Sequence, residues 1–259
     1  MKLLFLLGFT MCFLLKAPAQ DFSLYQFHHF TLKKDTLPYR MLLPADYNKN
    51  KKYPLLIFLH GAGERGRDNK SQLLHGAKFF LTDSIRSKYP AIIVFPQCMP
   101  ESYWSNVYKK DTSYLPEKYI FNTDSKPTTA MRLLQRLVKQ LLKAYPVERK
   151  QVYAGGLSMG GMGTFELVYR NPSLFAAAFP ICGGADTGYV PKLVKTHWWI
   201  FHGAKDDVVM PHFSERIAIK LQAGHADVKY TLYPDAFHNS WDNALAEPML
   251  LPWLFSKKK

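Results

Sequence analysis

Short, predominantly apolar runs alternate along this chain with segments of helical periodicity, and that alternation leaves few folds open. Residues 53–59, 91–95, 151–154, 175–181, 198–201 and 228–233 are such runs, four to seven residues long. A strand with one wet face alternates apolar and polar residues; a strand covered on both faces does not. The runs therefore read as parallel strands packed between two layers of helices. Between them, residues 130–145 place Leu134, Leu137, Val138, Leu141, Leu142 and Tyr145 at helical spacing, with Lys and Arg turned to water. Residues 27–43 read as an antiparallel hairpin at the sheet edge. At 259 residues and 47% hydrophobic, the chain suits one large α/β domain, a mostly parallel central sheet with helices on both faces.

The first residues set the expected compartment. Met1-Lys2 is a short basic start, residues 3–15 are almost wholly apolar, and Ala17-Pro18-Ala19 is a small-x-small cleavage pattern. Residues 1–19 read as a signal peptide and residues 20–259 as the mature domain, secreted or periplasmic. The apolar run is too short to span a bilayer, so no stable membrane insertion is expected after its removal. Cys98 and Cys182 each follow a predicted strand, three strands apart in the expected sheet, or roughly 14 Å. A disulfide needs α-carbons within about 7 Å, which predicts two free thiols. The formal charge is +14, of which Lys2 and Lys16 of the leader carry two. Lysines are spread along the chain without a basic helix, aromatic platform or nucleic-acid motif, so a nucleic-acid partner is not expected. A soluble basic surface is the first reading; attraction to anionic polysaccharide or membrane surfaces is the second.

Gly156-Leu157-Ser158-Met159-Gly160 sits between a predicted strand and a predicted helix. In that context G-x-S-x-G forms a sharp turn that lifts the serine hydroxyl above the sheet at a helix N-terminus. A serine nucleophile needs a base, an acid that orients the base, and an oxyanion hole. Asp206 follows the strand at 198–201, with adjacent Asp207 as the alternative, and His238 follows the strand at 228–233. His225 falls at the wrong end of that strand, His212 in a helical segment, and His28 and His29 in the edge hairpin. The Met159 amide would supply one oxyanion donor. The glycine-rich loop from His60 to Gly66 would supply the other, through Ala62 with Gly63 behind it. Residues 99–127 form a long connection holding Tyr103, Trp104, Tyr108, Tyr114, Tyr119 and Phe121. A long loop leaving a strand end suggests a substrate wall, with Trp104, Tyr103 and Trp241 as substrate contacts able to stack on sugar or phenolic rings.

Taken together, these motifs resemble the α/β-hydrolase superfamily. The resemblance is to its secreted esterase and predicted-peptidase group, related to dienelactone hydrolases and feruloyl or acetyl-xylan esterases. The matching pieces are His60-Gly61-Ala62-Gly63-Glu64-Arg65-Gly66, Phe95-Pro96-Gln97-Cys98 with Trp104 downstream, and Gly156 to Gly161. Pro180-Ile181-Cys182-Gly183-Gly184, His202-Gly203-Ala204-Lys205-Asp206 and His238-Asn239-Ser240-Trp241 complete them. The resemblance implies Ser158, Asp206 and His238 as a catalytic triad. It also implies hydrolysis of a small-molecule or polysaccharide ester through an acyl-enzyme. No metal-binding motif appears and no cofactor is expected. Residues 183–197 are too few for a large lid. A peptidase of the same fold and a non-catalytic binding scaffold are the competing expectations.

Overall fold

The computed structural model describes residues 22–109, 119–122 and 126–259. The expected signal peptide and Tyr114 lie outside them. The chain opens with a hairpin, β1 (Gln26–Leu32) and β2 (Asp35–Leu42), turned by Lys33 at φ 57°. It continues through β3 (Tyr53–Leu59), α1 (Ala77–Leu81), α2 (Asp83–Lys88) and β4 (Ile92–Pro96). The long connection then carries a small separate hairpin, β5 (Val107–Lys109) with β6 (Tyr119–Phe121). After α3 (Thr129–Ala144) come β7 (Val147–Leu157), α4 (Met159–Arg170), β8 (Ala177–Ile181), α5 (Val190–Leu193) and β9 (His197–Gly203). α6 (His212–Ala223), β10 (Val228–Tyr233), α7 (Trp241–Ala246) and α8 (Leu250–Ser256) complete the chain. Eight strands form one sheet in the order β1-β2-β4-β3-β7-β8-β9-β10. β2 is antiparallel to both β1 and β4, and the remaining neighbours are parallel.

Strand sequence explains why both faces are covered. In β3, Leu55, Ile57 and Leu59 belong to one buried cluster while Leu56 and Phe58 belong to the other. In β9, Trp198 and Ile200 face the first cluster and Trp199 and Phe201 the second. Side chains alternate across a strand, so only an unbroken apolar run can fill two cores at once. α3 closes the first core with Leu133, Leu134, Leu137, Val138 and Leu141, all buried, and its N-terminus is capped by the Thr128 hydroxyl accepting from the Met131 amide at 3.1 Å. The Lys and Arg side chains of α3 do form a basic helix face, which corrects the expectation that the chain has none.

Sheet order also fixes where a site can form. From β3 the chain moves to β4 on one side and later to β7 on the other, so connections at the carboxyl ends of β3 and β7 diverge. Such a switch point opens a crevice where ligands of open α/β sheets bind. The loop after β3 holds His60-Gly61-Ala62, and the turn after β7 holds Ser158.

In the second core, the Phe179 ring occupies the space over Gly155, where an added β-carbon would lie 2.3 Å from it, and packs 5.9 Å from Phe58. Phe179→Ala is expected to lower the unfolding free energy by about 3–5 kcal/mol, read by urea denaturation. A loss below about 1 kcal/mol would show that this core relaxes around the hole.

Candidate active site

Ser158 is the single residue between β7 and α4, and its backbone is bent to φ 54°, ψ −118°. A positive φ at a non-glycine residue costs of order 1–3 kcal/mol and persists only where its surroundings enforce it. Here the Ser158 amide donates to Ile181 O at 2.9 Å, and its carbonyl accepts from the Met162 amide at 3.0 Å. The flanking glycines permit the turn by close approach. A β-carbon on Gly160 would lie 2.0 Å from the Leu59 carbonyl oxygen, and one on Gly156 would lie 2.5 Å from Gly160 O.

His238, in the loop after β10, stands with Nε2 2.9 Å from Ser158 Oγ and Nδ1 2.8 Å from Asp206 Oδ2. A carboxylate only accepts, so Nδ1–H is the donor to Asp206 and Nε2 is left to accept from the serine hydroxyl. Asp206, in the turn after β9, is buried, whereas Asp207 is exposed; Asp206 is therefore the acid that reaches His238. Its Oδ1 accepts from the amides of Val208 and Val209, both at 3.0 Å. Burial pushes this carboxyl up, but hydrogen bonds from His202 and His238 outweigh burial and hold it well below the usual carboxylate range.

Sequence reasoning treated His202 only as part of a strand-end motif. The structure makes it a second imidazole on the same carboxylate. His202 is fully buried, and its Nε2 lies 2.7 Å from Val209 O and 3.1 Å from Asp206 Oδ2. Both partners are acceptors, so Nε2–H donates, and Nδ1 faces Ser214 Oγ at 2.7 Å. The four-residue spacing from His202 to Asp206 was the available signal.

The loop after β3 is held from beneath by groups of the loop after β4. His60 Nε2 accepts from the Cys98 amide at 3.0 Å, so its Nδ1–H donates to Gly61 O at 2.6 Å. Gln97 is fully buried; its Oε1 accepts from the Asn69 amide at 2.7 Å and its Nε2 donates to Asp68 Oδ1 at 2.6 Å. Ala62 opens a short 3-10 turn, Ala62–Glu64, and Met159 opens α4. The first amides of a helical turn have no intrahelical acceptor, so both expected oxyanion donors are left free of one by position. A β-carbon on Gly61 would lie 3.8 Å from Ser158 Cβ, which sets this loop against the serine.

The expected substrate contacts divide. Trp104 is fully buried: its ring meets His60 edge-on at 5.4 Å, and a β-carbon on Gly163 would lie 2.4 Å from its own. It is a core residue and not part of a substrate wall, because the loop that carries it folds inward onto α4. Tyr103 is half-buried, with the Arg65 guanidinium 5.8 Å from its ring centre, and both line a cleft of about 990 Å³ beside the loop after β3. Trp241 is half-buried and stands edge-on to His238 at 5.5 Å. Tyr119 and Phe121 pack on Phe213, at 5.8 and 5.9 Å, in a small cluster with Met162 and Val209. Val208, Met210 and Phe237, each close in sequence to Asp206 or His238, are exposed.

Cys98 and Cys182 are both buried and free, as the strand spacing predicts. The Cys182 sulfur, Asp206 and His238 have ligand atoms within 4.8 Å of one another. Burial pushes the thiol well above its usual range, and the carboxylate and imidazole are already bonded to each other. That arrangement suits proton transfer along His238.

This is the α/β-hydrolase fold, with a serine, histidine and aspartate at its strand ends. The sequence profile of the phospholipase/carboxylesterase family matches residues 46–248, and the chain belongs to that family. Lysophospholipase-like protein 1 of Mus musculus is 25% identical over 199 residues, which cover 71% of this chain and 79% of that protein. Among solved structures, a thermostable esterase superposes with a TM-score of 0.82 at 32% identity, covering 92% of this chain but only 64% of its own. A ferulic acid esterase superposes with a TM-score of 0.65 at 19% identity, covering 88% of this chain and 95% of its own. The latter likeness is one of fold.

Two measurements test the site's construction. Trp104→Ala is expected to lower the unfolding free energy by about 3–5 kcal/mol in urea while leaving KM for a small ester unchanged; a raised KM at unchanged stability would return Trp104 to the substrate wall. Burial pushes His60 down to about 4. Below its unfolded value near 6.5 the unfolded chain takes a proton that the folded chain refuses, so stability falls as pH drops from about 6.5 towards 4. The slope expected from this one group is up to about 1.4 kcal/mol per pH unit, and the same titration of His60→Asn should lack it.

Proposed function

We propose that the protein is a serine carboxylesterase working through an acyl-enzyme on Ser158. The observation that carries the reading is the Ser158–His238–Asp206 chain, with contacts of 2.9 and 2.8 Å in the order that nucleophilic catalysis needs. His238 Nε2 takes the Ser158 proton as Oγ attacks the ester carbonyl carbon. The Met159 and Ala62 amides donate to the oxyanion, each contributing roughly 3–4 kcal/mol. As the tetrahedral intermediate collapses, the ester C–O bond breaks and the alcohol leaves with the proton from His238. Water then loses a proton to His238 as its oxygen adds to the acyl carbon; the carbon–Oγ bond breaks, the acid leaves, and His238 returns the proton to Ser158 Oγ.

Family membership and the esterase neighbours support ester chemistry. The exposed rim of Val208, Met210 and Phe237, with Trp241 beside His238, would receive an apolar or aromatic group of the ester. The polar cleft past Arg65 and Tyr103 would receive a hydroxyl-rich partner. Acetyl or feruloyl groups on polysaccharide fit that pairing, as does a secreted or periplasmic location behind the leader at residues 1–19. The segment at residues 183–197 holds only a 3-10 turn and the four-residue α5, which suits an open site.

The test is an ester panel of acetylated xylan, methyl ferulate and short p-nitrophenyl esters, run beside peptide substrates. Ser158→Ala should lower kcat by about 10⁶ and abolish labelling by a fluorophosphonate, and Asp206→Asn should lower kcat by about 10⁴. Cleavage of peptides with inertness to every ester would replace this reading with a peptidase. Retained fluorophosphonate labelling in Ser158→Ala would remove Ser158 as the nucleophile.

A further inference from the structure

Away from the triad, the solvent side of α3 carries Arg132, Arg136, Lys139 and Lys143, spaced i, i+4, i+7 and i+11. That spacing keeps four cations in one row about 16 Å long. No acidic residue occurs anywhere in α3. Beside the row lies a groove of about 830 Å³, with Lys33 and Arg149 adding to its cationic lining. Phe30, Leu32, Leu142 and Ala144 supply its apolar surface, and no triad member lines it. Asp35 pairs with Arg132 at 2.7 Å. Among the described residues, no carboxylate lies within ion-pair distance of Lys33, Arg136, Lys139 or Lys143.

An ordinary solvated helix face mixes both signs of charge, whereas this one is of a single sign and borders carbon rather than polar groups. The combination selects the occupant. A free inorganic anion would use the cations and leave the groove empty. A uronic-acid polymer would meet aliphatic side chains where its hydroxyls need partners. An anionic phospholipid satisfies both halves, with its phosphate on the cations and its acyl carbon against Phe30, Leu32 and Leu142. We propose that this face docks the protein reversibly on membranes containing anionic phospholipid. Among the described residues no helix is long and apolar enough to cross a membrane.

The experiment is co-sedimentation of the protein with phosphatidylcholine vesicles, with and without phosphatidylglycerol, at low and high salt. Binding is expected only with phosphatidylglycerol and is expected to weaken as salt rises. Each cation near such a surface contributes roughly fivefold in partitioning, so the triple variant Arg136→Gln, Lys139→Gln, Lys143→Gln should bind about 100-fold more weakly. Its hydrolysis of a soluble ester should stay at the wild-type level, which also reports folding. Should the triple variant fail to fold, Lys139→Gln alone should lose about fivefold. Equal binding to both vesicle types, no binding to either, or an unchanged affinity in the variants would overturn the proposal. So would binding to polygalacturonate without binding to vesicles.

Discussion

Backbone-to-backbone contact between the turn after β7 and the end of β3 is the constraint on which the site depends. Where Gly160 faces the Leu59 carbonyl there is no space for even one carbon atom. The chain leaving Leu59 becomes the loop carrying His60, Gly61 and Ala62, and the chain leaving the turn becomes α4. One contact therefore fixes the serine, the first amide of α4 and the neighbouring loop against each other. The strained φ of Ser158 is held by the same packing, helped by its bond to Ile181. Side chains are then brought to this rigid centre by β9 and β10, whose carboxyl ends lie progressively farther out in the sheet.

Electrostatics completes what packing begins. The Asp206 carboxylate is buried, yet it stays ionised because four N–H groups point at it, two from backbone and two from imidazoles. A carboxylate so supplied orients His238 without competing for its proton. On the other flank, His60 is driven to its neutral form by burial, which lets one nitrogen accept from Cys98 and the other donate to Gly61. One histidine is thus a buried neutral strut, while His238, half-buried, stands between Ser158 and Asp206.

Most of the fold was legible because burial on both faces leaves a direct mark on composition. The unbroken apolar runs became β3, β4, β8 and β9, and the periodic segment at 130–145 became α3, within a residue or two. Ser158, Asp206 and His238 were legible for a different reason: chain order and strand-end position limit which polar residues can meet. Trp104 was misread because an aromatic residue in a long loop looks alike whether the loop folds in or out, and only the space over Gly163 decides it. The contact of His202 with Asp206 depends on how a strand-end turn closes, which residue types alone do not specify. The Lys and Arg of residues 130–145 were legible as a water-facing side, but with charge weighed over the whole chain their single sign did not stand out.

The two cysteines carry a consequence for how the chain can be made. Cys98 follows β4 and Cys182 follows β8, with β3 and β7 between those strands, and both thiols are sealed from solvent. Neither can reach the other while the sheet stands. Assembly of the described domain therefore contains no oxidative step. The described domain owes none of its stability to a sulfur–sulfur bond.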